Sequence, residues 1–321
     1  MILLWFPLSL IAILLLADFC YQQYASRRIQ KLIDGVQPFG STTATSSDCT
    51  QKVAVPGPDG LVLRGCLNCT SQKNARGLIL FLAELHGSHW TAMTYCQGLV
   101  VAGFHVLSVD FRNQGESDSI PGYVPIHWVS EYELDDVRHI LEWISNNDQL
   151  NTLPLGLLGV SRGGAAALAA ACRFPQIAAV VSDSGFTTLT LVNEFLNKFS
   201  RFVVPDWFFS RLPRWHIAET LRQALRRSER KRGCRYVHPE KEPESMKCPV
   251  LLISGRRDSY VTPRVTQRVS DLIGQIDCTW IVDKAKHNRP RSMDAEEYDR
   301  RVIEHFSNAF AAVRAVNGTD E

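Results

Sequence analysis

A serine stands at the centre of residues 154–172, Pro-Leu-Gly-Leu-Leu-Gly-Val-Ser-Arg-Gly-Gly-Ala-Ala-Ala-Leu-Ala-Ala-Ala-Cys. Its immediate frame is Gly159-Val160-Ser161-Arg162-Gly163, a G-x-S-x-G. Alone the spacing is weak, because Gly and Ser are common and an ordinary Gly-rich turn can match it. Here an apolar run of strand length, 155–160, precedes the serine, and an alanine-rich helix former follows it. A serine on so sharp a strand-to-helix turn takes a strained backbone conformation, and its neighbours must be small where strand and helix crowd together. The turn lifts the Ser161 hydroxyl above the sheet, at a helix amino end whose dipole favours negative charge. That is the placement for nucleophilic attack on a carbonyl carbon.

A serine hydroxyl is a poor nucleophile unless a base lies within hydrogen-bond reach and an acid orients that base. The downstream histidines are His216, His238, His287 and His305. The first two fall in an irregular region and His305 in mid-helix. His287 follows the last strand, in Asp283-Lys284-Ala285-Lys286-His287-Asn288, where a loop can carry an imidazole over Ser161. It is read as the base, against the alternative of a solvated loop histidine. Asp258, after the strand 250–254 on a turn opened by Gly255, is read as the acid; a helix-capping aspartate is the competing reading. Asp183, at the end of the preceding strand, is the alternative acid. An acyl-transfer oxyanion needs two backbone N–H donors. Arg162 supplies one and Ser88 the other, in the supporting loop His86-Gly87-Ser88, with His86 read as a buried structural histidine rather than a second base.

These groups need a scaffold. Strands are expected at 53–55, 61–66, 77–82, 104–109, 155–160, 177–182, 249–254 and 278–282, the first two joined by the turn Gly57-Pro58-Asp59-Gly60. Helices are expected at 91–101, 129–146, after Ser161, at 262–273 and at 293–316. Strand–helix alternation implies a mostly parallel sheet covered on both faces, with the site at the strands' carboxyl ends. Between 187 and 246 the alternation stops. That stretch is helical where readable, holds Phe195, Phe199, Phe202, Trp207, Phe208, Phe209, Leu212 and Trp215, and ends in the basic run 226–235. It is read as a packed cap with a solvated basic face, or as a lid whose aromatics line an acyl pocket while its arginines face anionic headgroups.

With 321 residues, 45% of them apolar, the chain can bury a large core. A net charge of +2 argues against nucleic acid as partner. Nine scattered cysteines do not form a disulfide framework, and Cys66-x-x-Cys69 suggests a thiol pair or local disulfide rather than a metal site. Asn68-Cys69-Thr70 and Asn317-Gly318-Thr319 are sequons of little weight. Residues 1–17 carry no charge and are rich in Leu and Ile. No basic residue precedes the run, and Asp18-Phe19-Cys20 makes a poor cleavage site. An uncleaved single-pass membrane anchor over 1–21 is therefore expected in preference to a signal segment, with a Ser/Thr/Gly-rich linker closing the span 22–50. Arg27, Arg28 and Lys31 lean the topology toward a cytoplasmic catalytic domain.

His86-Gly87, Asp110-Phe111-Arg112-Asn113-Gln114-Gly115-Glu116-Ser117, Gly159-Val160-Ser161-Arg162-Gly163, Cys248-Pro249-Val250-Leu251-Leu252-Ile253-Ser254-Gly255 leading to Asp258, and His287-Asn288 together resemble the α/β-hydrolase superfamily over most of residues 50–315. They are similar to its branch of monoacylglycerol lipases, serine aminopeptidases and membrane-anchored ABHD-type enzymes. The chain departs from that pattern at Asn113 and Lys286, where relatives carry Gly. The resemblance implies an eight-stranded, mostly parallel sheet with helices on both faces, in a domain of 51–186 and 247–316, with a helical cap at 187–246. It also implies a cofactor-free serine hydrolase acting on a small carboxylic ester, a lipid or other acyl ester. Amidase, peptidase, thioesterase and acyltransferase chemistry would use the same groups, and a non-catalytic scaffold would require a broken constellation.

Overall fold

A computed structural model describes residues 2–35, 49–199, 211–241 and 245–317. β1 (Gln51–Pro56) and β2 (Val62–Asn68) form a hairpin, paired from Gln51 with Leu67 to Pro56 with Val62. β3 (Leu78–Leu82) is fully buried, and five consecutive apolar residues are what a central parallel strand covered on both faces requires. α2 (Ala92–Val101), β4 (His105–Val109), α3 (Glu131–Ser145), β5 (Leu155–Val160), α4 (Arg162–Arg173) and β6 (Ile177–Asp183) follow. After an interruption come β7 (Val250–Gly255), the helix Pro263–Ile273 and β8 (Thr279–Val282). A short turn of helix, Pro290–Met293, then precedes the long carboxy-terminal helix Ala295–Asn317.

The eight strands make one sheet in the order β1-β2-β4-β3-β5-β6-β7-β8. β1, β2 and β4 pair antiparallel and all the others parallel, as expected. On one face Ile79, Phe81, Leu158 and Val181 pack against Tyr95 and Leu99 of α2 and Phe306 of the last helix. α4 can lie close to the sheet because two thirds of its residues are Gly or Ala. A Cβ on Gly163 would stand 1.9 Å from the carbonyl oxygen of Leu82, and one on Gly159 would stand 2.1 Å from that of Gly163. The glycines flanking Ser161 are therefore required by backbone-to-backbone packing.

The cysteine pairing differs from expectation. Cys66 bonds Cys49, tying the chain ahead of β1 to β2, and Cys69 is a free thiol. A C-x-x-C spacing on an extended strand separates its two side chains, whereas the antiparallel hairpin brings the segment before β1 alongside the end of β2. Asn68 of the first sequon is buried, its Oδ1 accepting from the Thr50 N–H, so it offers no acceptor surface for a glycan. The second sequon runs beyond the described residues.

The chain separates into two compact units, Met1–Gln37 with Val192–Arg235, and Pro38–Leu191 with Tyr236–Glu321. The first contains the helix α1 (Ile2–Ile33), the greater part of α5 (Thr188–Phe199), and α6 (Arg214–Arg232). α1 and α6 run side by side in parallel. Asp18 meets His216 at 2.7 Å, Gln22 meets Gln223, Gln23 and Ser26 meet Arg227, and Asp34 meets Ser228 and Arg232. Ala25, Ile29 and Ile33 form the buried stripe of α1, one residue per turn, while Leu221, Ala224 and Leu225 are buried on α6.

This corrects the expected membrane anchor. No helix among the described residues is long and apolar enough to cross a membrane. The apolar amino-terminal run continues without a break into an amphipathic half-helix, so residues 22–33, expected to open a linker, are helical. Arg27, Arg28 and Lys31, taken as topology signals, are the exposed face of that half-helix. The cytoplasmic lean drawn from them falls with the anchor. Part of the basic run likewise turns inward, since Arg227 and Arg232 engage α1. Of the aromatic cluster, Phe195 is buried and Trp215 exposed. Phe202, Trp207, Phe208 and Phe209, and most of the Ser/Thr/Gly-rich linker, lie outside the described residues.

Candidate active site

Ser161 occupies the turn between β5 and α4 with φ 51° and ψ −113°, a conformation that only a surrounding structure can impose on a non-glycine residue. Its N–H donates to the Asp183 carbonyl at 2.7 Å, fixing it against the neighbouring strand. Its Oγ lies 2.9 Å from Nε2 of His287, and Nδ1 of that ring lies 2.7 Å from Oδ2 of Asp258. The structure thus brings together the three side chains singled out in the sequence, which are separated by 126 and 29 residues.

Neighbouring strands explain the meeting. β7 and β8 are paired, and the loops beyond them are stitched by Arg256 N–H to Val282 O and Arg257 N–H to Ala285 O, both 2.9 Å. Gly255 permits this approach, because a Cβ there would stand 2.4 Å from the Ala285 carbonyl oxygen. Asp258 is buried, and its Oδ1 accepts from the Tyr260 and Val261 N–H groups at 2.8 and 2.9 Å. That leaves Oδ2 aimed at the imidazole. The Tyr260 ring stands edge-on to His287, centroids 5.2 Å apart, and limits its rotation. Lys286, a departure from the resembled pattern, is exposed with an ordinary negative φ, so the loop has no need of glycine there.

Asp183, the alternative acid, is placed otherwise. Its carboxyl is fully buried and accepts from the Ser184 hydroxyl at 2.9 Å, while Nδ1 of His287 faces Asp258. Burial is the main cause that pushes the Asp183 carboxyl up to about 7, outweighing the hydrogen bond from Ser184. The folded pKa lies above the unfolded one, so Asp183 costs nothing below about pH 4, and its cost grows until the pH passes about 7. The full cost is on the order of 4 kcal/mol. Asp183→Asn is accordingly expected to leave the thermal midpoint near pH 4 unchanged and to raise it increasingly toward pH 8, as melting curves across that range would show.

Arg162 opens α4, where the first N–H groups have no acceptor within the helix. Ser88 immediately precedes the 3-10 turn His89–Thr91, whose first bond runs from the Thr91 N–H to the Ser88 carbonyl. The contact of Gly163 with Leu82 sets the end of β3, and the loop that leaves it, against the first turn of α4. Gly87 is buried, and a Cβ there would press on the Glu84 side chain at 2.8 Å. His86 is exposed, at φ 64°, so its reading as a buried structural histidine is corrected. The buried histidine is His89. Its Nδ1 lies 2.7 Å from Oδ2 of Asp110, and its backbone N–H donates to the other oxygen of that carboxylate. Asp110 also accepts the Glu116 N–H, clamping its own loop to the His86–Ser88 loop. Asn113 takes the left-handed conformation at φ 61°, which Asn tolerates better than most residues. Its amide secures Ile120 and Tyr123. Asparagine therefore serves where the resembled pattern has glycine. Among the described residues, no group of three His, Cys, Asp or Glu is placed to hold a metal ion.

A family model described as alpha/beta hydrolase fold matches residues 85–216. An uncharacterised 31.7 kDa protein of the traX-finO intergenic region of Escherichia coli is 26% identical over 92 residues, 29% of this chain. The match spans just under a third of that protein's length, 31%. Among solved structures, the Pyrococcus furiosus esterase Pf2001 is 22% identical, with a TM-score of 0.60 over 86% of this chain and 100% of its own. The α/β hydrolase GrgF from Penicillium sp. sh18 is 17% identical with a TM-score of 0.61, covering 81% and 99%. A putative aryl esterase from Burkholderia cenocepacia is 19% identical at 0.55, covering 81% and 100%.

Proposed function

We propose that this chain, which has the α/β-hydrolase fold, is a serine hydrolase that cleaves carboxylic esters of small acyl substrates, lipid esters included, through an acyl-enzyme. The observation that carries this reading is the unbroken relay Ser161 Oγ to His287 Nε2 and His287 Nδ1 to Asp258 at 2.9 and 2.7 Å, standing at the carboxyl ends of the central strands. In the proposed sequence, His287 Nε2 takes the Ser161 proton as Oγ adds to the ester carbonyl carbon. The carbonyl π pair moves onto oxygen, where the Arg162 and Ser88 N–H groups receive it. The tetrahedral centre then collapses, breaking the bond to the alkoxide, and the imidazolium protonates that leaving group. Water, deprotonated by the same nitrogen, next adds to the acyl carbon; the second tetrahedral centre collapses to release the acid, breaking the bond to Oγ, and the imidazolium returns its proton to Ser161. Asp258 keeps the proton on Nδ1 throughout, so that Nε2 is free to accept.

The ester preference is further supported by the esterases among the structural neighbours. The test is turnover of a p-nitrophenyl ester series from acetate to palmitate beside a p-nitroanilide and a thioester, together with fluorophosphonate labelling located by peptide mapping. Ester turnover with the label on Ser161 is expected. A chain that neither hydrolyses any member of the panel nor takes the label ends the reading, and anilide or thioester turnover exceeding that of every ester replaces it with an amidase or thioesterase.

A further inference from the structure

We propose that the side chains of Arg162 and Glu133 form a positioning pair that holds the oxyanion-binding N–H of Arg162 in register with Ser161; the inference rests on the hydrolase reading above. Arg162 is the first residue of α4, a helix buried from Arg162 through Ala171 and otherwise built there from Gly, Ala and Leu. Here it is 1% exposed. A buried guanidinium carries a heavy desolvation cost, and an apolar residue of similar volume generally serves stability as well or better. Stability alone does not account for an arginine at this place.

Its partner is equally constrained. Arg162 Nη2 lies 2.7 Å from Oε1 of Glu133, which is 0% exposed. The same Oε1 accepts from the Tyr123 hydroxyl at 2.7 Å, and Oε2 accepts from the N–H and the hydroxyl of Ser130, both at 2.7 Å. Burial alone would raise the pKa of Glu133; facing Arg162 and these three donors, it lies below its ordinary value. Glu133 completes the capping box of α3, and Ser130 also bridges to Tyr236. Both carboxylate oxygens are thus pinned to an element distinct from the elbow, the β5–α4 turn that carries Ser161, and the guanidinium tethers the elbow to that fixed point.

The elbow needs such a tether. Ser161 is held at positive φ, a state that persists only when its surroundings over-determine it. On one side its N–H is anchored to Asp183. On the other, the next residue reaches through its side chain to α3. An oxyanion donor must sit 2.7–3.1 Å from the developing charge, and a displacement of about 1 Å in a positioning element can cost about a hundredfold in rate. A lost tether therefore appears in the chemical step, and ground-state substrate binding changes little.

The experiment compares kcat, KM and Tm for a p-nitrophenyl ester in the full chain, using Glu133→Gln, the uncharged pair Glu133→Gln with Arg162→Met, and Phe310→Leu. Phe310 lies in the core beside Gly77, at the amino end of β3 and away from the site. The single variant leaves a buried guanidinium uncompensated; the double removes both charges, and it decides the matter where the single variant does not fold. The expected result is a kcat about 10- to 100-fold lower in both charge variants with KM within about threefold of wild type. Phe310→Leu is expected to lower Tm while leaving kcat intact. A folded double variant with wild-type kcat, or a Phe310→Leu variant that loses kcat to the same degree at equal loss of Tm, overturns the inference. An active wild type with unaffected charge variants sinks this proposal alone, whereas an inactive wild type sinks the hydrolase reading with it.

Discussion

Ser161→Ala is expected to lower kcat for ester hydrolysis by about a millionfold, to abolish fluorophosphonate labelling, and to leave Tm close to wild type. The size of the loss follows from the arrangement. In the proposed mechanism His287 and Asp258 act on the proton of one oxygen, and once that oxygen is gone they have nothing to activate. The residual rate enhancement over water would come from the backbone donors and substrate binding. The fold should survive, because the elbow's close contacts are made by Gly159, Gly163 and the backbone of Ser161, none of which needs the hydroxyl. Steady-state kinetics and gel labelling on the folded variant check all three outcomes. A variant that retains substantial turnover would show that the attacking atom lies elsewhere.

Asp258→Asn is expected to cost about ten-thousandfold in kcat, with the nucleophile and its surroundings in place. Oδ1 of Asp258 is committed to two backbone N–H donors, so an asparagine would place its oxygen there and turn its NH₂ toward His287. A donor facing Nδ1 drives the ring proton to Nε2, the atom that must accept from Ser161. The imidazole then sits in the right place in the wrong tautomer. Asp183→Asn provides the contrast. Its carboxyl bonds Ser184 and is pushed toward neutrality by burial, so its loss is expected to change kcat by less than about tenfold. Kinetics of the two variants side by side decide the acid, and the reverse ranking would assign that role to Asp183.

Most of the scaffold could be anticipated because parallel-sheet elements announce themselves locally. Buried strands such as β3 and β5 are short continuous apolar runs, and the helix after Ser161 is rich in Gly and Ala. Position among the expected elements narrowed the four downstream histidines to His287, the one in a loop just past the last strand. The misses share one cause. Pairing His89 with Asp110 in place of burying His86, bonding Cys66 to Cys49 in place of Cys69, and packing the second half of α1 on α6 all depend on which distant segment lies opposite. Arg162 offered the same difficulty: the sequence marks its N–H as a donor and says nothing of its side chain. The clue in reach was Ser130-x-x-Glu133, a capping-box pattern, although the third contact of that glutamate is visible only in three dimensions.

The linear chain by itself determined the doubly covered sheet, the strained serine between two glycines, and the set of residues available to serve it, since these follow from local hydrophobic period, helix propensity and the steric demands of one turn. Tertiary structure alone decided which aspartate faces the imidazole, which histidine is buried beside the His86–Ser88 loop, and what holds Arg162. Those choices are made by contacts between residues far apart in sequence, where burial and hydrogen-bond geometry select among side chains that the sequence leaves chemically equivalent.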